Sequence, residues 1–161
     1  MKLDNIFNKF NQISKVKLHI FLQITFFITA IIFTYISVKI WDYQLIENEF
    51  KKMGQIKFFF VAVILAPLFE TFVFTYLPFK LLSKKIKLEY VIFIASFLFG
   101  IQHFYSVVYI IFGIIAGFIL NIYYSYLLKY NNKYAFLLVV LLHSVANLIS
   151  TILEFLDKHF S

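Results

Sequence analysis

The sequence predicts an all-α protein, a polytopic transmembrane helix bundle of four to five spans. Hydrophobic residues make up 62% of the chain and charged residues only 14%, whereas soluble domains contain about 45–50% apolar and about 25% charged residues. The apolar residues occur in runs of about 20, the length that an α-helix needs to cross the hydrocarbon core. These runs lack the strict apolar/polar alternation of a membrane β-barrel. Helices are therefore the expected spanning elements.

Five apolar segments are the candidate spans of a single membrane domain, residues 18–157, which follows an N-terminal segment, residues 1–17. The segments cover about 18–40, 58–79, 90–105, 107–128 and 134–155. Between the first two, Asp42–Lys57 has mixed charge and is expected to form a loop or a short surface helix. The third segment is short, and only Phe104-Tyr105-Ser106 separates it from the fourth. These two can form a tight helical hairpin or one long broken stretch, so four and five spans are both open.

The lysines predict the orientation of the bundle. All 15 basic residues are Lys; with the N-terminus inside, ten of them flank the inner ends of the spans and five the outer ends. This asymmetry follows the positive-inside rule, so we expect residues 1–17 to be cytoplasmic. The net charge of +7 then reflects topology and contact with anionic lipid headgroups. Nucleic-acid binding is not expected, because base readout and paired contacts favour Arg.

Four of the polar residues within the apolar segments are candidate site residues: Glu70, His103, His143 and Asn147. An ionisable group at membrane depth costs about 2.5–3.5 kcal/mol on insertion scales and marks a functional site by default. At about 1.5 Å per helical residue, Glu70 and His143 lie roughly 15 Å from the inner side, and His103 and Asn147 roughly 20 Å. We therefore expect all four to share one layer near the bilayer midplane.

The residue types in this layer favour hydrolysis. A carboxylate beside an imidazole, such as Glu70 with His103, can activate a water molecule. His143 and Asn147 are four residues apart, so they share one helix face and can donate hydrogen bonds to an oxyanion. Glu70, His103 and His143 are also candidate ligands for Zn²⁺, which accepts nitrogen and oxygen donors. A site with zinc and a site with water alone both remain open.

Three short motifs resemble the signatures EExxxR, FxxxH and HxxxN/D of the CPBP family of intramembrane proteases. Phe99–His103 (FGIQH) fits the second signature and His143–Asn147 (HSVAN) fits the third. Glu70–Thr75 (ETFVFT) keeps only the leading acid of the first, with Thr71 in place of the second Glu and Thr75 in place of the Arg. This family, also called Abi, includes CAAX prenyl proteases and bacteriocin-processing enzymes. The resemblance covers roughly residues 58–155.

The resemblance implies an intramembrane endopeptidase that cleaves a membrane-embedded or membrane-tethered peptide or protein. Glu70 and His103 would activate the attacking water, and His143 with Asn147 would stabilise the oxyanion. It also implies an integral protein of a bacterial inner membrane.

Three other functions remain open from the sequence. The chain has no Arg, and without a cation beside it a buried Glu70 favours its neutral form, which is a poor general base. A weak or inactive pseudoprotease, acting in bacteriocin immunity or as a membrane-protein accessory, is therefore the main alternative. A b-type haem protein with His103 and His143 as axial ligands is another. A proton relay through Glu70 is the third, although one acid does not make a chain of relays.

Overall fold

The computed structural model describes residues 3–40, 54–104 and 106–160, and within these ranges the chain forms helices and no strand. This confirms the predicted all-α helical bundle. We number the helices α1 to α6. They are α1 (Leu3–Asn11), α2 (Lys15–Ile40), α3 (five consecutive segments from Gln55–Phe60 to Leu77–Leu82), α4 (Leu88–Ile101), α5 (Val107–Lys129) and α6 (Ala135–Phe160). Most of the predicted surface segment Asp42–Lys57 lies outside the described residues.

Four of these helices are long and apolar enough to cross a membrane. The spanning stretches are Lys15–Phe33 in α2, Ile56–Leu82 in α3, Val107–Lys129 in α5 and Ala135–Ile152 in α6. The apolar helix α4 has 14 residues, about 21 Å at 1.5 Å per residue, and a typical hydrocarbon core is about 30 Å thick. The five predicted segments thus correspond to α2 to α6, and the segment predicted to be short is α4.

Helices α4 and α5 form a tight antiparallel hairpin, one of the two arrangements that the sequence left open. Small residues line their contact: a Cβ atom on Gly113 would lie 2.9 Å from Gly100 Cα, and one on Gly117 would lie 2.9 Å from Ser96 Cα. One turn further along, Asn121 Nδ2 donates to Ser96 Oγ at 3.3 Å. Small residues allow such close backbone approach between membrane helices. The hairpin places the residues of its turn, His103 among them, at a fixed position against α5.

Helix α3 contains two π-helical turns, Val61–Leu65 and Phe72–Tyr76, which the sequence analysis did not predict. Each precedes a short α-helical segment with a proline near its start, Pro67 or Pro78. A proline lacks the backbone N–H and clashes with the carbonyl four residues earlier, and the wider π turn relieves that crowding. Glu70 lies between the two π turns, which occur frequently at functional sites.

The N-terminal helix α1 packs across the end of α5. Phe7 is buried, with its ring centroid 6.1 Å from that of Tyr126, and the Phe10 ring meets Tyr126 edge-on at 5.6 Å. On the exposed side, Lys129 Nζ donates to Asp4 Oδ1 at 2.7 Å. Burial of the aromatic side chains is the larger stabilising contribution, since exposed ion pairs contribute little. Helix α1 therefore covers the end of the bundle remote from the α4–α5 turn.

Candidate active site

Three parts of the bundle supply the four predicted site residues. Glu70 lies on α3, His103 lies in the turn that follows α4, and His143 and Asn147 lie on α6. Two of them are in contact, with 3.5 Å between His143 Nε2 and Glu70 Oε2. The His143 side chain is 4% exposed and that of Glu70 is 19% exposed. The site therefore pairs a buried imidazole with a carboxyl group that is partly exposed.

The second nitrogen of His143 faces Thr71, whose Oγ1 lies 3.5 Å from Nδ1. Thr71 is fully buried, so this hydroxyl belongs to the site although the sequence analysis treated it only as a departure from the family signature. A neutral imidazole has one donor and one acceptor nitrogen, and a hydroxyl can serve either. When the Thr71 hydroxyl donates to Nδ1, the proton of His143 is on Nε2 and points towards Glu70.

Phe99 supports both histidines. Its backbone oxygen accepts a hydrogen bond from His103 Nδ1 at 3.2 Å, and this tautomer makes Nε2 of His103 an acceptor. The Phe99 ring lies 5.9 Å from the His103 ring and 5.4 Å from the His143 ring. The FxxxH spacing therefore has a structural basis: Phe99 orients His103 through its backbone oxygen and packs its ring against His143.

Asn147 is tied to the first π turn of α3, where its Nδ2 donates to Ala62 O at 2.9 Å. The backbone N–H of Ala66 bonds to Val61 O, and the next residue, Pro67, has no N–H to offer Ala62 O. Asn147 therefore supplies the hydrogen-bond donor that Pro67 cannot offer to Ala62 O. An amide nitrogen has two N–H donors, so this contact leaves one for other partners.

Two glutamines also contact the site or the helix that carries it, although neither occupies a fixed position of the family signatures. Gln102, next to His103, faces the carboxyl group of Glu70, and its amide nitrogen is buried without a hydrogen bond to the described residues. Gln23 on α2 satisfies both of its amide groups when Nε2 donates to Leu142 O at 3.1 Å and Oε1 accepts from Ala146 N at 3.2 Å. This contact braces the turn of α6 that carries His143. The available signal was a polar amide within or at the end of an apolar run.

Zinc binding by Glu70, His103 and His143 stays a prediction. No group of three His, Cys, Asp or Glu side chains in the described ranges is arranged to hold a metal ion. His103 Nδ1 bonds to the backbone oxygen of Phe99, which is the kind of contact that orients a metal-ligating histidine, and the nitrogens of His143 face Thr71 and Glu70. The arrangement is suited to holding water between a carboxyl group and imidazoles.

Comparison with protein families identifies this set of helices. The family model described as type II CAAX prenyl endopeptidase Rce1-like matches residues 52–149, well over half of the chain. The match includes Glu70, His103, His143 and Asn147, and α1 and α2 lie outside it. No curated protein sequence and no solved structure gives a significant match. The motif resemblance is thereby confirmed: the chain is an integral membrane protein that belongs to the Rce1-like family of type II CAAX prenyl endopeptidases, within the CPBP group of intramembrane proteases.

Proposed function

We propose that this chain is an active intramembrane endopeptidase that uses a water molecule held at Glu70. The observation that carries the proposal is the contact of Glu70 with His143 at 3.5 Å inside a bundle of apolar helices. A carboxylate next to an imidazole in a largely water-excluded site is a suitable general base. The family membership supports the reaction type, and the chemistry of the four side chains suggests their individual roles.

In the proposed reaction, the Glu70 carboxylate removes a proton from the water while the water oxygen attacks the carbonyl carbon of the scissile peptide bond. His103, through its acceptor Nε2, helps to orient that water. The carbonyl oxygen becomes an oxyanion. Because Glu70 is now protonated and neutral, the Nε2–H of His143 turns from the carboxyl group to this oxyanion, which the second N–H of Asn147 also stabilises. The intermediate then collapses, the C–N bond breaks, and the proton on Glu70 passes to the leaving nitrogen.

The substrate in this proposal is a peptide embedded in or tethered to the membrane. The more exposed of the paired site residues is Glu70, and Phe104, next to His103, is 81% exposed. These exposures favour entry of the substrate on the side of α3 and the α4–α5 turn. Ten of the 15 lysines flank the inner ends if the N-terminus is inside, so we place the N-terminus in the cytoplasm of a bacterial cell.

The direct test is turnover by the unaltered chain. Purified protein in lipid vesicles should cleave a vesicle-tethered peptide library at defined bonds, and mass spectrometry of the products identifies those bonds. A protein that binds members of the library without releasing products would contradict the proposal.

Binding of peptides without cleavage would support the other candidate function, a pseudoprotease acting in bacteriocin immunity or as an accessory protein. The observation that favours it is that Thr71 and Thr75 occupy the positions of the second Glu and the Arg of the first signature, and both are fully buried. The double substitution Thr71→Glu/Thr75→Arg, once shown to fold, should then produce turnover that the unaltered chain lacks.

Thr71→Val is expected to lower kcat about fivefold, because one neutral hydrogen bond contributes about 1 kcal/mol. Valine keeps the shape of threonine but removes the hydroxyl that faces His143 Nδ1, so the preferred tautomer of His143 is lost. Thr71→Ser should retain most of the activity. Steady-state cleavage rates measure the effect, and Thr25→Val, which alters a hydroxyl bonded within α2, is the matched control. Equal rates for Thr71→Val and Thr25→Val would exclude this role of Thr71.

A further inference from the structure

Two polar side chains in the interior of the bundle have unused hydrogen-bonding atoms outside the reaction described above. Thr75 on α3 and Asn121 on α5 are both fully buried. Thr75 Oγ1 and Asn121 Oδ1 have no hydrogen-bond partner among the residues that the structure describes. Buried polar atoms are nearly always paired with protein or with ordered water, because an unpaired one retains the full cost of its desolvation. A single partner within reach of both atoms would remove this cost for each of them.

The contacts between helices place these two atoms at the same depth. Helices α3 and α5 run in the same direction because α4 returns between them, and the rings of Phe79 and Tyr124 meet edge-on with centroids 5.0 Å apart. Thr75 precedes Phe79 by four residues and Asn121 precedes Tyr124 by three, so both lie about one turn from this contact. Ser96 joins the same layer from α4, since its Oγ accepts from Asn121 Nδ2.

The chemistry of the layer matches a single water molecule. Thr75 offers a hydroxyl that donates or accepts, Asn121 offers a carbonyl oxygen that accepts, and Ser96 offers a hydroxyl whose proton is not committed by the bond from Asn121. A buried water needs two to four polar partners and a site shielded from bulk solvent. Anions and metal cations do not suit the layer, because all three groups are neutral and none is a carboxylate or an imidazole.

We propose that Thr75, Ser96 and Asn121 form a binding site for a buried structural water that ties α3 to the α4–α5 hairpin. The water donates to Asn121 Oδ1 and accepts from the Thr75 hydroxyl. Thr71, which faces His143, lies one turn from Thr75 on α3. The water therefore holds the second π turn of α3 against the hairpin. This π turn immediately follows the α-helical segment that carries Glu70. This inference does not depend on whether the chain cleaves peptides.

The sign of the stability change in Thr75→Val tests the proposal. If a water is bound, valine removes one of its partners, and the unfolding equilibrium in an SDS titration should shift at least about threefold towards the unfolded state. If the site is dry, valine removes an unpaired hydroxyl, and stability should be unchanged or higher. Thr29→Val is the matched control, since its hydroxyl bonds to Thr25 O within α2 at 2.8 Å.

A double-mutant cycle connects the effect to Asn121. In an Asn121→Leu background the water has already lost its acceptor, so Thr75→Val should have little further effect; full additivity would overturn the proposal. If Thr75→Val does not fold, a high-resolution structure of the unaltered protein decides the question. Water density between Thr75 and Asn121 supports the site, and its absence, at a resolution that shows other buried waters, rejects it.

Discussion

Glu70→Gln is expected to lower kcat for cleavage of a membrane-tethered peptide by a factor of about 10²–10⁴, the usual contribution of a general base. Glutamine keeps the size and the hydrogen-bonding shape of the side chain but cannot accept the proton of the attacking water. The contact with His143, 3.5 Å in the unaltered protein, should persist because the amide is a neutral isostere. The measurement is the initial rate of product release in lipid vesicles, with peptide binding measured separately.

The matched control for this experiment is Glu89→Gln. Glu89 is an exposed acid in the first turn of α4, so its substitution changes the net charge by the same amount and should leave the rate unchanged. His103→Ala should also abolish cleavage, because the water loses its second orienting group. Wild-type turnover by both Glu70→Gln and His103→Ala would mean that these residues do not perform the chemistry, even though the chain belongs to a protease family.

The sequence predicted the helices, and it singled out candidate site residues, because both rest on local patterns; the roles of those residues stay a prediction. Long apolar runs identify spanning helices by length alone, and α2 to α6 match the five predicted segments. Polar residues inside those runs stand out because the bilayer penalises them. The same reasoning predicted the common layer of Glu70 and His143, which the structure brings to 3.5 Å.

The sequence did not predict the features that depend on how the helices pack against one another. In the sequence, Thr71 marks only the loss of an acid from the family signature, whereas in the structure its hydroxyl faces His143 Nδ1. The π turns of α3 form where a backbone N–H bonds to the carbonyl five residues earlier instead of the one four residues earlier. That choice is coupled to a residue on another helix, since Asn147 supplies the donor for Ala62 O that Pro67 lacks. Such couplings leave no periodic signal in the chain.

The second large effect is expected on stability, from substitution of the glycines where α4 and α5 meet. Gly117→Ala should destabilise the protein by about 1–3 kcal/mol, the usual effect of overpacking, because its Cβ atom would lie 2.9 Å from Ser96 Cα and 3.0 Å from Ser96 O. Both contacts are with backbone atoms, which cannot rotate away. Gly54→Ala is the control, since a Cβ atom there would have no neighbour within 4 Å. The free energy of unfolding from SDS titrations measures both.

Gly113→Ala separates the packing of the hairpin from the placement of its histidine. A Cβ atom at this position would lie 2.9 Å from Gly100 Cα and 3.0 Å from His103 Nδ1. It should therefore destabilise the hairpin as Gly117→Ala does and, in addition, displace the imidazole that bonds to Phe99 O. Cleavage by folded Gly113→Ala protein should fall well below that of folded Gly117→Ala protein. Equal rates per folded molecule would show that the position of His103 against α5 is not required for the reaction, and its role would then have to be assigned to another group.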